Sequence, residues 1–154
     1  MLCPCQSHLD YTNCCQPLHL AQTTAQTAEQ LMRSRYSAFV LQHIDYIIVT
    51  TAPAQQHLLD HTALLDWSKN TDWQGLDVIK HQANIDKNHS LVEFKAYFQQ
   101  DGERCVHHEL SAFVLIDSKW YFLDPTLPSV RTMKQPCFCG SSKKFKLCCG
   151  LYLN

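Results

Sequence analysis

The chain has 154 residues, 45% of them hydrophobic and 18% charged, with a formal net charge of −1 at pH 7. Such a composition buries a core, which excludes a disordered or fibrous chain, and its balanced charge excludes a uniformly basic nucleic-acid binder or an acidic tail protein. The longest uncharged apolar run, Ala112 to Ile116, falls far below the roughly 20 residues of a membrane span.

Cys3, Cys5, Cys14 and Cys15 open the chain in the order C-x-C, eight residues, C-C. The segment Met1-Leu2-Cys3-Pro4-Cys5 has neither a basic nor an apolar leader, so the expected compartment is the cytoplasm, where thiols stay reduced. Pro17 to Gln26 is short and polar and reads as a linker. Thr27 with Gln30 three residues on forms a capping box. Met32, Tyr36, Phe39, Val40, Ile44 and Ile47 then recur at three- and four-residue steps, which predicts one helix with one apolar face, ended by Pro53. A second helical stretch is expected from about Ala54 to Trp67.

Beyond Asn70 the period becomes two. A strand is expected from Trp73 to Gln82, and Val92, Phe94, Ala96 and Phe98 alternate with Glu93, Lys95 and Tyr97 in the next. Asp101-Gly102 is a hairpin turn into a strand ending near Ile116, and Asp117-Ser118 turns into Lys119 to Leu123. Helices first and a meander afterwards give an α+β architecture with helices packed on an antiparallel sheet.

The strand from Arg104 to Ile116 is where a site is expected. It carries Cys105, His107, Glu109, Ser111 and Phe113 on one face and His108, Leu110, Ala112, Val114 and Ile116 on the other. Polar groups sunk there need partners, and Arg33, Arg35 and Tyr36 on the first helix are candidates. A Glu109 to Arg35 pair would line a pocket between helix and sheet. The pocket candidates are His108, Glu109, Ser111 and Arg35, and an enzymatic reading would pair His108 or His107 with Glu109 as acid and base. A polar network locking helix to sheet uses the same residues and is the preferred reading. There is no G-x-S-x-G, P-loop or dinucleotide turn, so no catalytic residue is assigned. Cys105 reads as a small core residue.

After the proline-marked connection Asp124 to Pro128 and Pro136, the first cysteine pattern returns as Cys137, Cys139, Cys148 and Cys149. A disulfide across C-x-C or between adjacent cysteines is strained, whereas a metal tolerates that closeness. Four thiolates suit tetrahedral zinc or an iron–sulfur cluster. Zinc is preferred, because iron–sulfur sites more often use C-x₂-C spacing. Two Zn²⁺ ions, one per cluster, are therefore expected, in units spanning 1–20 and 134–154 around a middle domain of 25–130.

The stretch from Cys137-Phe138-Cys139-Gly140 through Lys143-Lys144-Phe145-Lys146 to Cys148-Cys149-Gly150 resembles the SEC-C motif, the zinc knuckle at the C-terminus of the SecA translocation ATPase. The first copy keeps the four cysteines and an aromatic, Tyr11 for Phe145, but has Gln6 in place of Gly140 and none of the lysines. Together with Met32-Arg33-Ser34-Arg35-Tyr36-Ser37-Ala38-Phe39 and His108-Glu109-Leu110-Ser111-Ala112-Phe113, the whole chain is similar to the YchJ-like family of uncharacterised bacterial proteins. The resemblance implies a nuclear transport factor 2-like domain, with helices on a curved antiparallel sheet, between two SEC-C knuckles. It implies no assigned activity.

From Thr126 onward the chain carries Arg131, Lys134, Lys143, Lys144 and Lys146 and no Asp or Glu. With one Zn²⁺ and four thiolates this end keeps about three positive charges. Lys143, Lys144 and Lys146, with Phe145 as an apolar or stacking contact, are the expected contact surface for an acidic protein or an RNA backbone. Phe145 packing over the metal is the alternative. By likeness to the SecA tail, an acidic chaperone such as SecB, or the ribosome, is the expected partner. The first knuckle has Asp10 and no Lys or Arg, and it is expected to dock on the middle domain. The leading function is a zinc-containing adaptor. A small-molecule-binding protein or enzyme using the central pocket and a metal-handling or thiol-redox protein are the alternatives.

Overall fold

Four antiparallel strands, β1 (Asp72–Gln82), β2 (His89–Gln100), β3 (Glu103–Ile116) and β4 (Lys119–Leu123), form one open sheet in chain order. The computed structural model describes residues 1–153. Both later hairpins close on two residues in the left-handed region, Asp101 and Gly102 (φ 54° and 79°) and Asp117 and Ser118 (φ 49° and 66°). That backbone matches the right-handed twist of the flanking strands. Asp117 and Ser118 adopt it without a glycine.

Four helices precede the sheet: α1 (Gln16–His19), α2 (Ala28–Leu41), α3 (Ile44–Val49) and α4 (His61–Asn70). Thr27 caps α2 as expected, its hydroxyl accepting from the Gln30 amide at 3.1 Å. The Gln30 side chain, however, accepts from Gln26 N–H at 2.7 Å, one residue before the position a capping box would use.

The single long helix expected up to Pro53 is broken. Gln42 takes a left-handed conformation (φ 64°) and its N–H caps the carbonyls of Ala38 and Phe39, so α2 stops and α3 starts in a new direction. Ile44 and Ile47 stay buried all the same. The second expected helix is also two pieces, a 3₁₀ turn at Pro53–Leu58 and then α4. Leu59 is extended, and the Asp60 carboxylate accepts from Ala63 N–H at 3.1 Å, which restarts the helix.

The main core lies between α2 and the sheet, where Leu31, Met32 and Tyr36 meet Leu76, Val92, Ala96 and Phe113. In β3 the four successive residues Ser111 to Val114 are all buried. Phe113 joins this core, whereas Ala112 and Val114 join a second one on the opposite face together with the C-terminal cysteines. The segment after α3 runs beside β4, with Phe122 N–H donating to Thr50 O at 2.8 Å and Ala52 N–H to Phe122 O at 2.9 Å. None of the described helices is long and apolar enough to cross a membrane.

Candidate metal centres

The two cysteine clusters fold alike, residue for residue. Cys3 N–H donates to Leu9 O at 2.8 Å and Cys137 N–H to Lys143 O at 2.8 Å. Leu2 bridges Asp10 as Pro136 bridges Lys144. A 3₁₀ turn follows in each, Tyr11–Asn13 and Phe145–Leu147. Ser7 lies 3.2 Å from the Cys14 sulfur, and Ser141 lies 3.2 Å from that of Cys148. The C-x₈-C spacing therefore encodes a fold, and the weaker first copy follows it despite losing the lysines.

Gln6 stands where Gly140 does, and both have positive φ, 66° and 83°. A side chain there is strained by about 1 kcal/mol. Gln6→Gly is expected to stabilise the first unit by about that much, read as a higher urea midpoint in a probe local to Tyr11. An unchanged or lower midpoint would contradict it.

Within each cluster the four sulfurs lie within 4.8 Å of one another. The close pairs are Cys5–Cys14 at 3.6 Å, Cys14–Cys15 at 3.9 Å and Cys139–Cys148 at 3.4 Å. Tetrahedral zinc with bonds of about 2.3 Å sets its sulfurs roughly 3.8 Å apart. The residues present fit such an ion, and all eight cysteines are unbridged thiols. Both clusters can hold a metal.

Crowding shapes their protonation. Cys5 is held down to about 4, chiefly by the hydrogen bond from Cys15, while the same bond pushes Cys15 up. Burial pushes Cys3 up to about 11. The second cluster repeats this, with Cys137 lowered to about 5 through Cys149, Cys149 raised in turn, and Cys148 raised by burial to about 11. Protons alone thus leave each cluster with few thiolates, and a dication is what would let all four ionise.

Each cluster is anchored to the middle domain differently. Tyr11 donates to His19 Nδ1 at 2.6 Å, and His19 Nε2–H donates to Ser34 O at 2.8 Å on α2. Burial lowers the His19 pKa, which keeps the ring neutral and so able to accept at one nitrogen while donating at the other. Arg33 donates to Cys5 O at 2.7 Å and pairs with Glu29 at 3.1 Å. It therefore serves the first cluster and not the strand for which it was a candidate.

The second cluster sinks into the core on the far side of β3. His89, 1% exposed, bridges Asp86 (2.9 Å from Nδ1) and the Cys149 sulfur (3.3 Å from Nε2). Such an outer partner orients a sulfur ligand and tunes its basicity. Nothing local in the sequence flags His89, because its partner sulfur lies 60 residues on.

Phe145 is 1% exposed and packs with Phe138 against the cysteines. It is therefore core, and the expected apolar or stacking contact with a partner is not available to it. Gly150 must be glycine, since a Cβ there would sit 2.5 Å from Phe145 O. Lys143, Lys144 and Lys146 are exposed.

The strand candidates divide by face. Glu109, Ser111, His107 and Arg35 line one cavity between helices and sheet. His108 does not, because it points to the other face and pairs with Glu93 at 2.6 Å. Glu109 accepts from Ser111 and lies 3.5 Å from His107. The expected Arg35–Glu109 pair is replaced. Arg35 donates to Ile47 O and Thr50 Oγ1, each at 2.8 Å, and stands 4.5 Å from the Phe122 ring centre. Tyr36 joins the core and also lines the cavity. Cys105 is half-buried on β3.

A family model described as the YchJ middle NTF2-like domain matches residues 27–125, and one for the SEC-C motif matches 133–151. A UPF0225 protein of Actinobacillus succinogenes is 56% identical over 152 residues, covering 99% of this chain and 98% of the relative. One of Haemophilus influenzae is 56% identical over 153 residues, covering 98% and 93%. Among solved structures, a SEC-C motif containing protein from Psychrobacter arcticus superposes with a TM-score of 0.94 at 50% identity, covering 99% of this chain and 97% of that one. Another, from Rhodopseudomonas palustris, gives 0.75 at 36% identity, covering 85% and 100%. With the middle-domain model spanning more than half of the chain and relatives matched over nearly their full length, the chain belongs to the YchJ-like UPF0225 family and carries its SEC-C motif.

Proposed function

We propose that this is a cytoplasmic zinc-stapled recognition protein, in which two structural Zn²⁺ ions fix the terminal knuckles on the middle domain and the basic outer face of the second knuckle binds an acidic protein surface. The observation that carries the reading is the twice-built Cys₄ shell, with seven of the eight cysteines buried and all sulfurs of a cluster within 4.8 Å. Four sulfurs complete a tetrahedral ion and leave no open position for substrate, so zinc would supply folding energy and not catalysis. The burial of those sulfurs also supports retention of the ion over exchange or thiol redox cycling.

The exposed Lys143, Lys144 and Lys146 immediately precede the exposed Leu147 in sequence, and Leu151 is exposed further on. With Phe145 buried, this face lacks the aromatic platform on which single-stranded bases stack. An acidic partner with an apolar spot, such as an acidic chaperone, suits it better than RNA. The ribosome is a further candidate through its proteins.

Anaerobically purified protein is expected to carry two zinc ions per chain. The triple variant Lys143→Glu, Lys144→Glu, Lys146→Glu should keep both while losing salt-sensitive capture of its partner. Absence of stoichiometric metal would overturn the zinc reading. Capture unaffected by the triple variant would overturn the electrostatic one.

A further inference from the structure

The cavity that Arg35 and Glu109 share plays no part in the metal reading. It holds about 380 Å³, a volume within the range of small-molecule sites. Arg35, Ile47, Thr51 and Phe113 are buried at its floor, while Trp67, His107 and Thr126 are exposed at its mouth. Its walls are largely aromatic, with Phe39, Trp73, Phe94, Phe98 and Phe122.

The guanidinium on this lining has N–H groups that lack acceptors. Arg35 is only 9% exposed, yet its hydrogen bonds all leave from Nη1, to Ile47 O, Thr50 Oγ1 and Thr51 Oγ1. Among the described residues Nε and Nη2 have no partner, and no carboxylate approaches the guanidinium as an ion pair. Burial lowers it to about 10, an effect that Tyr46, Asp124 and Glu109 partly offset. Trp73 Nε1 is also buried and unpartnered, but it is closed off from the open space and does not face the cavity. Glu109 and Asp124 also line the space, but Glu109 is engaged by the Ser111 hydroxyl and His107, and Asp124 Oδ1 accepts from the Thr126 N–H and hydroxyl. Buried charges are normally matched, so with both carboxylates turned to other partners the free edge of Arg35 is short of an anion.

We propose that this cavity binds an apolar monocarboxylate of about ten to fifteen non-hydrogen atoms, its carboxylate on the free edge of Arg35 and its aromatic or aliphatic body along the aromatic wall. A planar guanidinium with two adjacent free donors is the group that takes a carboxylate side-on.

The probe is 4-phenylbutyrate, titrated into the full-length protein by calorimetry and by the fluorescence of Trp67 and Trp73, beside 4-phenylbutyramide and 4-phenylbutylamine. The acid is expected to bind at least about tenfold more tightly than the amide or the amine. In Arg35→Met that preference should disappear. Because Arg35 also ties down the end of α3, a second variant keeps its charge and fills the space instead: Ala96→Leu, whose Cβ lies on the lining and is buried. It should lose binding of all three probes while retaining the wild-type circular dichroism spectrum. A preference below tenfold, acid binding that survives Ala96→Leu, or no uptake of the acid by wild type at about 5 mM would each overturn the proposal. Zinc content measured on the same samples reports the metal reading separately.

Discussion

Stripping metal from the reduced protein with a strong chelator is expected to lower the thermal midpoint of the whole chain by at least about 10 °C, and not merely to loosen its ends. Structural zinc contributes on the order of 10 kcal/mol to a module of this size, so on the proposed zinc reading the C-terminal knuckle should unfold when the ion leaves. That knuckle is not an appendage. Cys137, Cys139, Cys148, Cys149 and Phe145 share one apolar cluster with Ala52, Ala112, Val114 and Leu123 of the middle domain. Val114 and Leu123 are completely buried, and each loses up to about 1.5–3 kcal/mol of burial if the knuckle peels away. A loss of about 3–5 kcal/mol in a chain of this length moves the midpoint by roughly 10 °C or more. Scanning calorimetry with metal content verified before and after checks it. A midpoint within about 2 °C of the holo value, with both ions gone, would show that the clusters do not support the middle domain. The first knuckle should matter less, since its links to α2 are mainly polar, through Arg33 on Cys5 O and His19 on Ser34 O.

What the sequence discloses, and what it hides, follows the range of the interactions. The cysteine spacing is local information, and it specifies the knuckle down to matching 3₁₀ turns and serine contacts. Strand alternation and the Asp101-Gly102 turn are equally local, and the meander follows from them. The break at Gln42 is not legible, because a glutamine with positive φ (64°) carries no glycine or proline to announce it. It arises where α3 must turn so that Ile44 and Ile47 still reach the core. The division of β3 was legible in principle. Strict alternation already puts His108 and Glu109 on opposite faces, so an acid–base pair between them conflicts with the same period that placed them. Arg35 could be assigned to the helix–sheet space, yet its true partners, Ile47 O and the threonine hydroxyls after α3, depend on the helix break. His89 under Cys149 and the buried Trp73 Nε1 are products of tertiary packing alone.

Phe145→Ala separates the two roles this aromatic can be given, and it should cost the C-terminal knuckle about 3–5 kcal/mol. The ring is 1% exposed, lies 5.8 Å from that of Phe138, and packs in the cluster that holds all four sulfurs. Its backbone is equally confined, because the Phe145 carbonyl faces Gly150 so closely that even a methyl group would collide. Truncation leaves a cavity beside the four sulfurs that the short 3₁₀ turns around it cannot close. On the proposed zinc reading, the expected readout is release of one of two ions to a competing chromophoric chelator at a concentration that leaves wild type fully loaded. The lysine-to-glutamate triple variant, altered only at exposed positions, should resist that same concentration. Were Phe145 instead a contact for a partner, the pattern would reverse: Phe145→Ala would keep both ions and lose only capture. The burial of the ring decides between these outcomes in advance, since a side chain with almost no accessible surface can hold the sulfurs in place but has nothing left to offer to a second molecule.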